Sequence, residues 1–396
     1  MKEELLLKLG KEYDTPSFIF DVSALKKRMG QIKEIVGSEI HLCYSIKANP
    51  FLIPTILEVV EKLEVCSPGE LLICERLNVP GEKIIYSGVN KTLDDIEEAV
   101  KNNSGIYTAE SILHVKLLNK VGEKYSKKLS VLLRLNAGSQ FGMSKEDLFS
   151  VIASREEYKN IDIVGIHFFA GTQRKKIEKQ KKEIEMLKKL YEEIFEKYNL
   201  KLKKLEYGPG LAVPIFEADN FDDTLQPIKE LAETLKQVSS WAELTIEMGR
   251  FYVTEIGYYL TSVMDQKFNE GVNYAILDGG MNHLNYFGQI MGMKVPVIKH
   301  LKDSKKDEKE WCLCGSLCTT ADVIVRQVKM NNLEENDILA FCNVGAYSIT
   351  EGIYLFLSRM MPRVILYDDK KGSELVRDFY DSSILNTIFY KKGGEQ

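Results

Sequence analysis

The stretch IVGIHFFAGTQRKKIEKQKKEIEMLKKLYEEIFEKYNLKLKKLEY, residues 163–207, contains two short apolar runs separated by a long amphipathic run. The runs at 163–167 and 204–207 have the length and composition of buried strands. Between them, apolar residues recur at helical spacing while Lys and Glu fill the other positions, which predicts an outer helix over 174–198 with a solvated face. Its apolar positions are Ile177, Ile184, Leu187, Tyr191, Ile194 and Tyr198. A strand, a helix and a second strand in this order indicate a parallel sheet.

The same unit recurs along the chain from about residue 38 to residue 247. Further strands are predicted at residues 40–44, 83–86, 129–135 and 244–247. About eight units of roughly 25 to 30 residues suit a (β/α)8 barrel of the TIM type, which places the chain in the α/β class. A doubly wound open sheet is the alternative.

Beyond residue 250 the pattern becomes rich in strands and poor in helices, which predicts a C-terminal β-sandwich or β-barrel domain. Its predicted strands are residues 252–264, 274–277, 296–299, 310–313 and 338–342. Residues 303–310 have the composition of a charged loop, and residues 391–396 that of a frayed tail.

Composition excludes several classes of partner. The chain has 396 residues, 44% of them hydrophobic, and a formal net charge of -5, so it is globular and lacks the positive charge of a general nucleic-acid binder. No uncharged apolar run approaches the roughly 18 residues that cross a bilayer, so we expect no membrane partner. The seven cysteines are an odd number and have the pattern of reduced thiols, which favours the cytoplasm.

Three motifs follow predicted barrel strands, at the edge where barrel enzymes keep their reactive groups. Lys47 lies in YSIKAN, at the end of the first barrel strand. Gly208 and Gly210 flank Pro209 in a bend that lets backbone N–H groups approach a phosphate. Glu247 and Arg250 end the last barrel strand in the run EMGR. Each motif also has a plain structural reading: a solvated lysine, a turn and a surface ion pair.

The predicted β-domain contains two further motifs. Cys314 and Cys318 lie four residues apart in the run CGSLCTTAD, but no second pair near a histidine accompanies them, so we expect no metal. The run GAY places Tyr347 on a tight turn, with an ordinary core tyrosine as the alternative.

Taken in order, these motifs resemble those of the fold-type III pyridoxal-phosphate (PLP) decarboxylases, the group of diaminopimelate and ornithine decarboxylases. The resemblance covers most of the chain, from about 14 to 363. It implies an α-decarboxylase in which Lys47 forms a Schiff base with pyridoxal 5'-phosphate and the reaction passes through a quinonoid intermediate. The cofactor-binding residues that it implies are Lys47, Phe169, Gly208, Gly210, Glu247, Arg250 and Tyr347.

Within this set, the resemblance implies that Glu247 contacts the pyridine nitrogen. It also implies that the phosphate is contacted by Arg250, Tyr347 and the glycine bend. Met248 replaces the proline of the family's EPGR motif. A carboxylate beside the ring nitrogen favours its protonated form, which is the stronger electron sink.

The resemblance further implies a homodimer with active sites at the interface, in which Cys318 comes from the partner subunit and returns a proton to Cα. Together with the change of pattern after residue 250, it gives the expected domain limits. An N-terminal segment (1–28) adds the strand 17–21 to the β-domain, the barrel spans 29–255, and the β-domain spans 256–396.

Three departures from the diaminopimelate enzymes bear on the substrate. Phe169 replaces the histidine that stacks on the cofactor ring, Thr319 replaces the acidic residue that binds a distal amine, and residues 282–289 lack the arginine for a distal carboxylate. The continuation 348–352 after Tyr347 is also unlike theirs. Losing a charge-assisted contact costs roughly 1.5 to 3 kcal/mol per site. The substrate-binding residues expected here are Thr319, Asp322, His283 and Tyr286.

We therefore expect a substrate with a neutral side-chain end, such as an L-glutamyl group tethered to an acyl-carrier protein, as in aminoglycoside antibiotic biosynthesis. Diaminopimelate decarboxylase is the alternative. An alanine-racemase-like enzyme would need a tyrosine base where Cys318 stands. A non-catalytic PLP-binding or regulatory homologue is disfavoured because the chain keeps Lys47, Cys318 and the β-domain.

Overall fold

The protein is described from a computed structural model, which covers residues 1–286, 292–302 and 307–388. The end of segment 282–289, the first part of the predicted loop 303–310 and the predicted tail 391–396 lie outside these residues. The chain forms two compact units. The barrel unit is Lys26–Val213 with Asp222–Tyr252, and the β-unit is Met1–Leu25, Pro214–Phe221 and Val253–Gln396.

Strands and helices alternate over the first 250 residues, and strands dominate afterwards. The strands are β1 (Ser17–Asp21), β2 (His41–Ser45), β3 (Lys62–Val65), β4 (Ile84–Tyr86), β5 (Ile106–Ala109), β6 (Leu129–Arg134), β7 (Ile161–Phe169), β8 (Lys204–Gly208), β9 (Glu243–Met248), β10 (Gly257–Asn269), β11 (Val272–Leu277), β12 (Ile298–His300), β13 (Glu308–Cys314), β14 (Val323–Asn331), β15 (Ile338–Cys342), β16 (Arg363–Asp368) and β17 (Gly372–Arg377). The α-helices are α1 (Glu3–Tyr13), α2 (Val22–Val36), α3 (Ile53–Ile56), α4 (Pro68–Arg76), α5 (Leu93–Lys101), α6 (Ile112–Lys124), α7 (Lys145–Ala153), α8 (Ile177–Tyr198), α9 (Gln226–Val238), α10 (Arg250–Val253), α11 (Ser348–Glu351) and α12 (Ser383–Asn386).

In the barrel unit, strands β2 to β9 form a closed parallel barrel in sequence order. Closure is made by β2 and β9, where Cys43 pairs with Glu247 and Tyr44 with Met248. The predicted (β/α)8 barrel is therefore confirmed, and the open-sheet alternative is wrong. Among the described residues, no helix is both long enough and apolar enough to cross a membrane.

The barrel interior is divided into an apolar floor and a polar layer. The floor is a buried cluster of Cys43, Ile85, Ile106, Leu132 and Val164. Because side chains two residues apart share a face of a strand, the next inward positions lie nearer the carboxyl ends of the strands. These positions include Ser45 on β2, Arg134 on β6 and Glu247 on β9, all of them buried. The polar layer thus lies at the barrel end where function is expected.

Helix α8 agrees with the amphipathic pattern but begins at Ile177 rather than at residue 174. Its buried face includes Ile177, Ile184, Leu187, Tyr191 and Ile194. Arg174 lies outside the helix because its backbone N–H donates to Gly210 O and its guanidinium pairs with Glu183. These contacts hold Arg174 in the preceding loop.

The β-unit is a mixed, nine-stranded sheet in which the predicted strand at 17–21 is observed as β1. All five residues of β1 are buried between antiparallel β10 and parallel β16. Helix α1 adds Leu6 and Leu9 to the apolar cluster around Ile19. The predicted two-part architecture, a barrel and a C-terminal β-domain, is confirmed.

Two local predictions beyond residue 250 are wrong. Residues 252–256 are helical, so the strand predicted from residue 252 begins only at Gly257. The charged loop predicted to reach residue 310 becomes strand at Glu308, because β13 pairs with β14 from that residue onward. The residues 308–310 are exposed, which explains why a charged sequence can be a strand there.

Candidate active site

Lys47 presents an amine at the carboxyl end of the barrel. It lies in a 3-10 turn directly after β2, and its side chain is 40% exposed. The Nζ atom is 2.7 Å from Glu64 Oε2, 3.5 Å from Cys66 Sγ and 3.9 Å from Glu247 Oε1. Burial raises the pKa of the Cys66 thiol well above its usual value, so Cys66 stays neutral beside the amine. The two carboxylates are therefore the charged neighbours of Lys47.

Glu247 is a buried carboxylate supplied with hydrogen-bond donors. Ser45 Oγ donates to Oε1 at 2.5 Å, and His167 Nε2 lies 3.2 Å from Oε2. Burial alone would raise the pKa of Glu247, but the charge of Lys47 and the bonds from His167 and Ser45 hold it well below the usual range. An ionised carboxylate in this position can accept a hydrogen bond from a protonated aromatic nitrogen.

His167 supports this charge from the neighbouring part of the barrel. Burial opposes its protonation, but the pKa of His167 is raised overall by the Glu206 carboxyl group, to the extent that it is ionised, and by the hydrogen bond and charge of Glu247. His167, Glu206 and Glu247 are all buried, and each offers a donor or acceptor atom within 4.8 Å of the other two.

The glycine bend after β8 lies beside Phe169. A Cβ at Gly208 would meet the Phe169 ring at 2.6 Å, so only glycine lets that ring lie against this backbone. Gly210 has a φ of 59°, in the left-handed region that favours glycine. Phe169 is paired with Gly208 in the β7–β8 register and is half-buried. Its ring is thus placed at the barrel mouth.

Contacts from the preceding loop and from α8 brace the bend. The Gln173 side chain donates to Val213 O at 2.9 Å and accepts from Val213 N–H at 3.0 Å. Gln180 donates to Pro209 O at 3.1 Å, and Arg174 N–H donates to Gly210 O at 2.9 Å. The bend therefore keeps its shape before any ligand arrives, as an anion-binding backbone must.

These residues fit the three parts of pyridoxal phosphate. An amine at Lys47 matches the aldehyde carbon, and the ionised Glu247 matches the ring nitrogen. The bend at Gly208 and Gly210, together with the guanidinium of Arg250 directly after β9, matches the phosphate. All of these residues belong to the barrel unit.

The remaining predicted site residues lie in the β-unit. Cys318 and Thr319 are exposed, and Tyr347 is half-buried with a φ of 67°. Asp322 is buried, and its carboxylate accepts hydrogen bonds from Met281 N–H at 2.9 Å and from Leu317 N–H at 2.8 Å. Asp322 therefore fixes the loop that carries Cys318 and Thr319.

His283 and Tyr286 are buried within the β-unit, and their polar atoms are already engaged there. His283 Nδ1 is 3.0 Å from Tyr259 Oη, and Nε2 is 3.0 Å from Met360 O. Tyr286 donates to Cys342 O at 2.7 Å. Burial lowers the pKa of His283 to about 4, so this ring is neutral at pH 7.

Sequence reasoning missed the residues of the polar layer around Lys47 and Glu247. These are Ser45, Glu64, Cys66, His167 and Glu206. A signal was present, because Glu64, His167 and Glu206 are polar residues inside otherwise apolar strands. A polar residue at an inward position near the carboxyl end of a barrel strand is a candidate for function.

Residues 22–254 match the family described as pyridoxal-dependent decarboxylase, pyridoxal binding domain. The chain is 28% identical to the L-glutamyl-[BtrI acyl-carrier protein] decarboxylase of Niallia circulans, over 93% of this chain and 92% of that protein. It is also 28% identical to the 2-[(L-alanin-3-ylcarbamoyl)methyl]-2-hydroxybutanedioate decarboxylase of Staphylococcus aureus, over 90% and 95%. Identity to the diaminopimelate decarboxylase of Aquifex aeolicus is 26%, over 86% and 84%.

Solved structures share the fold. The diaminopimelate decarboxylase of M. jannaschii in complex with L-lysine superposes with a TM-score of 0.84 at 23% identity, covering 97% of this chain and 94% of that one. SrLDC in complex with PLP and cadaverine gives 0.83 at 19%, covering 93% and 94%. Since the family match spans more than half of the chain, this protein belongs to the pyridoxal-dependent decarboxylases, and pyridoxal phosphate is its cofactor.

Proposed function

We propose that this decarboxylase acts on an amino acid whose distal end is uncharged, with an L-glutamyl group tethered to an acyl-carrier protein as the favoured substrate. The observation that carries the proposal is the loss of both charged contacts for a distal amine and a distal carboxylate. Thr319 offers an exposed hydroxyl in place of a carboxylate. His283 is the one basic side chain of residues 279–286, and it is buried and neutral.

The name of one relative supports this choice, and the name of a second supports only an acylated side chain. One acts on a glutamyl group carried by a protein, and the other on an alanine whose side chain is joined to a carbamoyl group. Neither side chain ends in an ammonium group, but the butanedioate of the second substrate carries two carboxylates, so only the first relative is a precedent for an uncharged distal end. A site without a charged partner favours such an end, because a charge that the site desolvates and leaves unpaired costs far more than a neutral amide or thioester.

The barrel residues have distinct roles in this proposal. Lys47 holds the cofactor through its amine, Arg250 and the bend at Gly208 and Gly210 hold its phosphate, and Phe169 packs on its ring. When bound, pyridoxal phosphate supplies an electron-withdrawing ring that accepts the electron pair left as carbon dioxide departs. The ionised Glu247 keeps a proton on the ring nitrogen, and Ser45 and His167 hold that carboxylate in place.

Residues of the β-unit complete the proposed machinery. We assign Tyr347 to the phosphate and Cys318 to the return of a proton from Sγ to Cα. Cys318 acts in this role from the partner subunit of a homodimer. The exposed position of Cys318, on a loop fixed by Asp322, supports a thiol presented to another surface.

Steady-state kinetics on a substrate panel tests the proposed substrate. The panel is meso-diaminopimelate, free ornithine, free glutamate and a glutamyl thioester on a phosphopantetheine mimic, with release of carbon dioxide as the signal. We expect the thioester to have the highest kcat/KM. If diaminopimelate has the highest value, the enzyme is a diaminopimelate decarboxylase and the interpretation of the departures is wrong.

A matched variant tests the role of Thr319. Thr319→Glu restores the acidic residue, so kcat/KM for ornithine should rise by about tenfold or more, as a regained charge-assisted contact predicts. Thr387→Glu is the control, because it adds the same charge at an exposed threonine of the β-unit outside these motifs. Absence of turnover on every member of the panel would instead favour the non-catalytic alternative.

A further inference from the structure

A second buried glutamate, Glu206, lies in the polar layer of the barrel beside the residues already assigned. Its side chain is on β8, where Glu206 pairs in register with His167 of β7 and Thr245 of β9. The residue is 1% exposed. Neither carboxyl oxygen has a hydrogen-bond partner among residues 1–286, 292–302 and 307–388. The mechanism described above gives Glu206 no role.

Each of the three cations around Glu206 is paired with another carboxylate, and Lys47 lies 3.9 Å from Glu247 as well as beside Glu64. The groups that face Glu206 or its neighbour His167 are Cys43 on β2, Lys47 after β2, Glu64 on β3, Arg134 on β6, His167 on β7 and Glu247 on β9. Lys47 pairs with Glu64 at 2.7 Å, and Arg134 pairs with Glu110 at 2.5 Å. His167 is the remaining cation, and its Nε2 already lies 3.2 Å from Glu247.

An ionised carboxylate without a donor is far costlier to bury than a protonated carboxyl group. Glu247 has donors from Ser45 and His167, whereas Glu206 has none within the described residues. Burial raises the pKa of Glu206 to about 8; the charge of His167 opposes this shift, and the charges of Glu247 and Glu64 add to it. Geometry and electrostatics therefore agree on where the proton lies.

We propose that Glu206 is a positioning residue that holds a proton at neutral pH and so leaves the positive charge of His167 to Glu247. Of the three groups, His167 is then an imidazolium with both ring nitrogens protonated, Glu206 is a neutral carboxyl group and Glu247 is an ionised carboxylate. The inference deepens the proposed function, because it rests on the assignment of Glu247 to the ring nitrogen.

The protonation state of Glu206 changes with pH. When Glu206 loses its proton, a negative charge appears within 4.8 Å of His167 and Glu247. That charge raises the pKa of neighbouring groups by about one pH unit or more at this separation. Glu206 therefore extends the alkaline range over which the cofactor ring nitrogen stays protonated.

Infrared spectroscopy of the full-length holoenzyme tests the proton itself without any substrate. Wild-type protein should show the carbonyl stretch of a buried protonated carboxyl group at pH 6.5, and this band should disappear with a midpoint near pH 8. Glu206→Gln should lack the band. Glu193→Gln is the control, because two lysine partners hold the pKa of this surface carboxyl below its usual value. Wild-type protein without the band at pH 6.5 would overturn the proposal, whether or not the variant folds.

The alkaline titration of the bound cofactor's visible absorbance tests the coupling. In Glu206→Gln its midpoint should fall by about one pH unit relative to wild type, because the compensating negative charge never forms. An unchanged midpoint would overturn the proposed positioning role. The proposal would also be overturned if the carboxyl band is absent and the protein instead contains one equivalent of a metal ion that a chelator removes. A bound cation would then balance the charge of an ionised Glu206. Failure of the substrate panel would leave both measurements unaffected.

Discussion

Replacing Glu247 by Gln removes one negative charge from the barrel and keeps the size of the side chain. In the native site this carboxylate accepts a hydrogen bond from Ser45 Oγ at 2.5 Å. It also lies 3.2 Å from His167 Nε2 and 3.9 Å from Lys47 Nζ. The amide of Glu247→Gln can still accept from Ser45, so the fold and the phosphate-binding bend should persist. The amide carries no charge with which to keep a proton on the ring nitrogen.

The size of the effect follows from the kind of contact that is lost. A hydrogen bond to a charged group contributes about 1.5 to 3 kcal/mol, and this one strengthens as the ring gains electrons. A loss of about 1.4 kcal/mol from transition-state stabilisation is tenfold in rate, so turnover should fall by at least about tenfold and up to about 150-fold. Cofactor affinity should fall less, because Lys47 and the phosphate contacts are untouched.

Release of carbon dioxide from the best substrate of the panel measures turnover, and absorbance titration with pyridoxal phosphate measures occupancy. Glu243→Gln is the matched control, because Glu243 begins the same strand at its outer end and pairs with Lys204. The control should keep wild-type turnover. Turnover of Glu247→Gln equal to wild type at full occupancy would refute the reasoning, because another group would then control the ring nitrogen.

Three further outcomes are expected. Lys47→Ala should abolish cofactor that borohydride traps on the chain, and trapping at another lysine in this variant would disprove the assignment. Mixing Lys47→Ala with Cys318→Ala protein should regenerate up to about one quarter of wild-type activity, since random pairing makes half the dimers mixed with one intact site each; no recovery despite subunit exchange would argue for sites within single chains. Because burial raises the pKa of Glu206 from 4.5 to about 8, wild type should lose stability relative to Glu206→Gln as pH rises through this window, by at most about 1.4 kcal/mol per pH unit. If the thermal unfolding midpoints of the two proteins change equally with pH between pH 5 and 8, this expected loss of stability is contradicted.

Much of the barrel could be predicted because its strands are buried on both faces and its helices on one. Such strands form continuous apolar runs, and α8 shows a clear period of helical spacing. The strands β14, β16 and β17 were not predicted; exposed polar residues interrupt β14 and β17, whereas β16 contains no exposed residue. Local sequence gives no signal for a strand whose main stabilisation is pairing with distant neighbours.

For the candidate site, sequence patterns located the residues at strand ends but not their partners. The turn after β2 and the run after β9 are visible locally, so Lys47, Glu247 and Arg250 could be named. That His167 lies opposite Glu206 depends on the register of β7 against β8. This register is set by the stagger of the closed barrel, which no short stretch of sequence encodes.

Glu206 and Glu247 show that depth alone does not set the charge of a carboxyl group in this barrel. Both are buried, yet the pKa of one is raised to about 8 and that of the other is held well below its usual range. Ser45 and His167 donate to Glu247, and both of these contacts depend on where β2 and β7 end relative to β9. Since burial penalises both charges alike, the charge of Lys47 and the donors His167 and Ser45 decide which glutamate ionises. A barrel can therefore place a negative charge at one chosen inward position, and it keeps the neighbouring carboxyl neutral by giving it no donor.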